Sequence, residues 1–312
     1  MSNQLTIGVT GVAGGVGQSI LKALELSDLD LKIVRIDCCD GAGFYFPSKF
    51  PVENMKFKKD ILGNIDWQKI IDEYNLDAII PGSDYDILDL SAFKGLYKDV
   101  FSFKVQNCHL LVSDQNLVNA CSDKFETQTL LSKYSTPYPH TYINPEYVMV
   151  QKPRRGSGSV GFKRLKPNIT NWKDIVLQEY IDGVEYTCSV FNPKSNNPSH
   201  RFTFISKREL RHGATYKAWY RDDAEIEELL LWICECLKPV GPLNVQLRRD
   251  RNNKLWVIEL NCRCSGTTAY RAACGFNEPD MLIRSYVLGE ELKQMNIKPL
   301  RMLRYWNEVY DQ

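Results

Sequence analysis

Nothing in these 312 residues approaches the roughly 20 consecutive apolar side chains that a helix needs to cross a bilayer. The first ten residues, Met1 to Thr10, carry no basic stretch ahead of an apolar one and no small-residue cleavage pattern. They read as a first β-strand rather than a leader. Both absences predict a cytoplasmic protein that does not engage a membrane. An excess of one charge is also missing. The 39 Lys and Arg stand against 38 Asp and Glu, a net charge of +1 with no block of either sign. That speaks against a nucleic-acid partner and against an acidic solvating tail. The ten cysteines contain no C-x-x-C spacing: Cys38 and Cys39 are adjacent, and Cys234/Cys236 and Cys262/Cys264 are spaced C-x-C. Neither a zinc ribbon nor a dithiol redox motif fits. Reduced cysteines packed as small apolar groups are expected instead. No internal repeat and no low-complexity segment is found.

What is present is an ordinary apolar fraction of 44% in a chain long enough for two domains. Residues 4–10 form an apolar strand, followed by a Gly-rich turn and a helix to about Leu26. Strands are expected at 31–37, 77–81 and 109–112, with a helix at 66–75. Strands alternating with helices give a parallel α/β sheet, ending near Val112. Two short helices follow, Asp114 to Cys121 and Asp123 to Lys133, then a Pro-rich connector. Beyond it strands crowd together at 147–152, 175–179, 184–191, 201–207, 243–249 and 254–261, with one helix at about 223–237. This is the pattern of an antiparallel α+β domain. The turn-rich Asn192 to Ser199 reads as an exposed hairpin tip.

The first glycine loop, G-V-A-G-G-V-G from Gly11, lacks the G-x-G-x-x-G spacing, because Ala13 and Val16 stand at the needed positions. The looser G-x-x-G-x-x-G does match, as in NADP-dependent reductases of the short-chain type. Their Tyr-x-x-x-Lys occurs here only at Tyr45 to Lys49, too early and interrupted by Pro47. The favoured reading is a tight turn that brings a helix N-terminus close to strand ends, near an anionic substrate.

The second glycine loop lies in YVMVQKPRRGSGSVGFKRL, residues 147–165. A strand delivers Lys152, and a Gly/Ser-rich loop follows whose backbone N–H groups can fold over phosphates. A lysine entering such a loop adds a point charge. Taken alone, this is equally an ordinary hairpin with a solvated lysine. Upstream lies Asp123-Lys124 at a helix start. Downstream lie IVLQEYIDGVEY at 175–186 and NVQLRRDRNNKLWVIELNCRCSGTT at 244–268. Glu259 and Asn261 sit two apart on one strand, so they share a face, and Gln246 on the neighbouring strand can join them. One carboxylate and two amide oxygens suit Mg²⁺, which keeps waters and phosphates in its shell.

These four blocks, in this order, resemble the ATP-grasp superfamily, most closely its carbamoyl-phosphate-synthase-like and carboxylate–amine ligase branch. The G-V-G-Q-S-I turn and the I-I-P-G-S-D stretch at 79–84 extend the resemblance to roughly 4–290. It implies an α/β parallel-sheet domain preceding the ATP-grasp unit over 1–112, an α+β ATP-grasp domain over 113–290 and a C-terminal tail over 291–312. It implies ATP with Mg²⁺, or Mn²⁺ in its place, and an ATP-dependent ligase that phosphorylates a carboxylate and releases ADP and phosphate when an amine attacks. Lys124 and Lys152 would contact the nucleotide phosphates, and Gly156, Ser157, Gly158, Ser159 and Gly161 would close over them. Gln178, Glu179 and Ile181 would meet the adenine, and Glu185 the ribose. Gln246, Glu259 and Asn261 would hold the metal. Arg263 would neutralise the transferring phosphoryl group, and Arg208 and Arg211 would line its substrate side. Where the family has N-P-R, this chain has Asn261-Cys262-Arg263. Dimers are common among these relatives, so a homodimer is the assembly to expect. Two other readings stay open: phosphorylation of bicarbonate or carbamate, and nucleotide binding without turnover. The identity of the carboxylate and the nucleophile is not encoded legibly.

Overall fold

The computed structural model describes residues 4–59, 63–97, 104–105, 107–141, 149–156, 161, 163–165 and 174–310. Its first sheet collects β1 (Leu5–Thr10), β2 (Leu31–Asp37), β3 (Val52–Lys56), β4 (Ala78–Ile80), β5 (Lys104–Val105) and β6 (Cys108–Leu110), in the order β3-β2-β1-β4-β6-β5. All pairings are parallel except β5 with β6. The central strands are apolar on both faces, as strands covered by helices on both sides must be. The helices are α1 (Gly15–Leu24), α2 (Trp67–Tyr74) and α3 (Asp84–Gly95). Ser83 caps α3 by accepting from the Asp86 N–H at 3.0 Å.

Helices α4 (Gln115–Ser122) and α5 (Lys124–Lys133) lead to a three-stranded antiparallel sheet of β7 (Met149–Pro153), β8 (Lys163–Leu165) and β9 (Ile175–Glu179), ordered β8-β7-β9. The largest antiparallel sheet follows: β10 (Gly183–Asn192), β11 (Phe202–Arg211), β12 (Ala214–Tyr220), β13 (Gly241–Asp250) and β14 (Leu255–Asn261). Helix α6 (Ala224–Leu237) packs on one face of it through Ile226, Leu230 and Ile233, at the spacing of one helix stripe. Short helices α7 (Thr268–Ala273) and α8 (Glu278–Leu282) return the chain to α1. There Ala269 N–H donates to Ser19 Oγ at 2.8 Å and Asn277 Nδ2 donates to the Ala23 carbonyl at 2.9 Å. The last strand, β15 (Arg301–Leu303), adds to the edge at β12, giving the order β14-β13-β10-β11-β12-β15.

The expected class, a parallel α/β domain followed by an antiparallel α+β one, is the architecture found. The expected Val112 boundary falls between β6 and α4. Elements the sequence did not announce are peripheral or short. Strand β3 (VENMK) is mostly exposed and shows no apolar alternation, and β15 lies in the stretch expected to be an unassigned tail. All ten cysteines are free, and seven of them are buried. Among the described residues no helix is long and apolar enough to cross a membrane.

Candidate functional site

Side chains two apart on a strand share a face. On β10 this groups Glu185, Thr187 and Ser189; on β13 it groups Asn244, Gln246 and Arg248. The pairing of β13 with β14 sets Asn244 opposite Asn261 and Gln246 opposite Glu259. The register slips by one residue of β14 only beyond these pairs, between Gln246 and Leu247, so both β14 groups keep to this face. The intervening residues Cys188, Val190, Val245, Leu247 and Leu260 are buried in the core shared with α6. One face of the sheet is therefore apolar and covered, and the other is polar.

The polar face holds a fixed charge network. Arg208 donates to Glu185 Oε1 through Nε at 2.8 Å and Nη2 at 2.5 Å, and its Nη2 also donates to Gln246 Oε1 at 2.8 Å. Arg248 donates to Glu185 Oε2 at 2.7 Å and to the Ile181 carbonyl at 2.7 Å. Burial alone would raise the Glu185 carboxyl, but the two guanidiniums outweigh it and hold it below the usual carboxylate range. Glu185, expected at the ribose, thus sits between two arginines. Asn261 Nδ2 donates to Glu259 Oε1 at 3.1 Å, which ties the two side chains together. Arg211 does not join this network. It lies beside the His212-Gly213 turn between β11 and β12, with its guanidinium over the Tyr216 ring at 5.5 Å.

Facing this sheet is the smaller one. Lys152 and Gln178 share a face across β7 and β9, because Lys152 pairs with Val176 and Val150 with Gln178. Both are nearly closed to solvent, at 8% and 3% exposure. Gln178 Nε2 donates weakly to the Pro139 carbonyl at 3.4 Å, and the Glu179 N–H donates to the His140 carbonyl at 3.1 Å. The Lys152 ammonium makes no hydrogen bond or ion pair to any described residue. Desolvation pushes its pKa down to about 8, against the opposing pull of Glu259 and with the help of Lys124 and Arg248. Lys124 is tied to the same strand end: its N–H donates to the Arg154 carbonyl at 2.9 Å and its Nζ to the Gly156 carbonyl at 2.9 Å. Asp123 caps α5 by accepting from the Phe125 and Glu126 N–H groups, and it also binds Arg154. The D-K pair therefore has two jobs: the aspartate closes the helix end, and the lysine faces the loop entry. Gly156 and Gly161 adopt φ of +121° and +74°. Ser157, Gly158 and Ser159 lie outside the described residues.

The parallel sheet reaches this site from the other side. Arg263 donates through Nε to Asp84 Oδ1 at 2.6 Å, through Nη1 to the Cys264 carbonyl at 2.9 Å and through Nη2 to Asn261 Oδ1 at 3.4 Å. Asp84 opens α3, at the carboxyl end of β4 and next to the first glycine loop. A Cβ on Gly17 would lie 2.2 Å from the Gly11 carbonyl oxygen, and one on Gly82 would lie 2.1 Å from that of Thr10. These glycines let α1 and the β4 turn close against the end of β1. Arg248 and Asp84 are the two members of the network absent from the sequence-based set of site residues. Arg248 stands two residues beyond Gln246 on the same strand, and that period-two spacing was its available signal.

The arrangement is a buried cation with no hydrogen-bond or ion-pair partner among the described residues, facing a carboxylate and two amide side chains and ringed by Lys124, Arg248, Arg208 and Arg263. Lys152, Lys124, Arg208, Arg248 and Arg263 outnumber the carboxylates among them, Glu259, Glu185 and Asp84, and that excess of positive charge calls for a polyanion. Gln246, Glu259 and Asn261 form an oxygen-only donor set of the kind a hard divalent cation takes, with the Gln246 and Asn261 oxygens shared with Arg208 and Arg263.

Residues 121–267 match a family model described as an ATP-grasp domain. Over 94 residues the chain is 31% identical to D-alanine–D-alanine ligase of Bacillus anthracis, a match covering 27% of this chain and 29% of that one. The match therefore spans less than a third of the curated relative's length. Among solved structures, N5-carboxyaminoimidazole synthetase from Staphylococcus aureus complexed with ADP superposes with a TM-score of 0.72 at 17% identity. It covers 96% of this chain and 82% of the other. L-amino acid ligase from Bacillus licheniformis gives a TM-score of 0.66 at 15% identity, covering 92% of this chain and 75% of the other. These similarities extend the shared fold across both halves of the molecule.

Proposed function

We propose that this chain, which carries an ATP-grasp domain over residues 121–267, is an ATP-dependent carboxylate–amine ligase. The observation that carries the reading is the buried Lys152, without a partner among the described residues, set against the Gln246–Glu259–Asn261 face, with Lys124 at the glycine-loop entry. The triphosphate of ATP supplies the anion this cluster lacks, and Mg²⁺ is the cation its oxygens suit; Mn²⁺ would fit the same donors. When bound, the metal neutralises phosphate charge. In this reading Lys152 and Lys124 hold the phosphates, and Gln178 with the backbone of Glu179 and Ile181 borders the base. Glu185 is fixed by Arg208 and Arg248, which leaves its role as a brace for that edge. Arg263 is aimed by Asp84 and the Cys264 carbonyl toward the group being transferred. Phosphoryl transfer asks the protein mainly for positioning and charge neutralisation, and these residues offer both. Arg208 and Arg211 border the acceptor side.

The transfer produces an acyl phosphate, which an amine opens with loss of phosphate. The relatives named as D-alanine–D-alanine ligase and L-amino acid ligase favour an amino-acid carboxylate among the candidate acceptors. A homodimer in the cytoplasm completes the reading. Incubation with MgATP, a panel of carboxylates and hydroxylamine tests it. Formation of a hydroxamate with at least one carboxylate is expected. ATP consumption that yields no hydroxamate with any of them contradicts it.

A further inference from the structure

One buried pair of thiols takes no part in this chemistry yet touches its frame. Cys121 lies in the last turn of α4, and Cys262 follows β14 directly. They are 141 positions apart in sequence, and their Sγ atoms are 3.1 Å apart. Exposure is 7% for Cys121 and 4% for Cys262. Their neighbours in sequence give the contact its weight. Cys262 stands between Asn261 and Arg263, and Cys121 lies two residues before Asp123 and three before Lys124. A void of about 10 Å³, bordered by Asp84, Val118, Ser122, Asn261 and Arg263, adjoins the pair. That is the lower limit for a single water molecule, and it marks a small packing gap beside the sulfurs into which they can shift.

We propose that Cys121 and Cys262 form a redox modification site, which a hydroperoxide converts to a disulfide that displaces the Asn261–Arg263 end of β14. The consequence for nucleotide binding rests on the ATP-dependent reading above; the cross-link itself does not. The chemistry balances in two steps. Hydrogen peroxide oxidises one thiol to a sulfenic acid and leaves as one water. The other thiol then attacks that sulfur, forms the S–S bond and releases the second water. A disulfide needs its sulfurs about 2.05 Å apart, so the pair must close by about 1 Å. In a close-packed interior that closure is transmitted to the backbone on either side. A misplacement of about 1 Å in positioning groups is enough to cost up to about a hundredfold in function.

The test uses the full chain, reduced and then exposed to hydrogen peroxide, blocked with N-ethylmaleimide and mapped as peptides without reductant. MgADP affinity is measured before oxidation, after it, and after dithiothreitol. The expected result is a peptide linking Cys121 to Cys262, with MgADP affinity falling at least tenfold and recovering on reduction. In Cys121→Ser, or in Cys121→Ala should the serine destabilise the core, affinity is expected to survive the same treatment. The exposed Cys38–Cys39 pair, 3.7 Å apart, reports that oxidant was present. Recovery of Cys121 and Cys262 uncoupled while Cys38 and Cys39 are oxidised overturns the proposal. So does a cross-linked protein whose MgADP affinity changes less than about twofold. Reduced protein that fails to bind MgADP at all counts against the ATP reading, and the peptide map then decides the cross-link by itself.

Discussion

At the scale of single residues, the site is defined by an imbalance. Lys152 is a buried base held near a pKa of about 8 with no hydrogen-bond partner among the described residues. A polyanion prefers its protonated form. Below about pH 8 that form is already present and binding takes up no proton. Above it, binding draws a proton in and weakens as pH rises, by up to tenfold per unit. MgADP titrations from pH 7 to 9.5, in buffers of different ionisation enthalpy, should show proton uptake growing through this window. In Lys152→Met the pH dependence should vanish along with most of the affinity. The grouping of Gln246, Glu259 and Asn261 was legible in the sequence because strand periodicity puts the last two on one face and β13 and β14 are consecutive strands joined by a short turn. The pairing of Glu185 with Arg208 and Arg248 was not, because it depends on which strands lie side by side, and β10 pairs with β13 only after a long excursion. Arg208 and Arg211 stand three apart on β11 with a bulge between them, and only the first faces the network.

At the scale of elements, one buried ion pair anchors α7 and α8 against one end of the polar face. Arg271 and Glu278 are both fully buried and meet at 2.8 Å. Ser189 and Thr268 donate to the Glu278 carboxylate at 2.5 and 2.6 Å, and Arg271 reaches Asn244 Oδ1 at 2.7 Å. Removing one partner leaves an uncompensated charge in the core. Glu278→Ala should therefore lower stability by about 3–5 kcal/mol, read from the midpoint of urea unfolding. Replacing both partners with apolar residues of similar volume should recover much of that loss. Neither short helix was announced by the sequence, because six and five residues are too few for a periodic signal. Helix α6 was legible for the opposite reason: it has fourteen residues, an Asp223 cap and a clear apolar stripe.

At the scale of the whole molecule, one of the charged contacts that join the halves is aimed into the site. Asp84, from the parallel-sheet half, holds Arg263, from the end of β14. If Arg263 acts on the transferring phosphoryl group, its placement matters more to the transition state than to bound ADP. Asp84→Asn should then lower turnover by about 10- to 100-fold while MgADP affinity stays within about threefold. Parallel losses in both would assign the contact to folding alone. The sequence held the I-I-P-G-S-D stretch but not its partner, since 179 positions separate the two residues. The most direct test of the account is the release of ADP and phosphate from MgATP across carboxylates paired with amines, with Glu259→Ala alongside. The account predicts release that depends on a carboxylate and disappears in the variant. Release that ignores every carboxylate, or persists undiminished in Glu259→Ala, would contradict it.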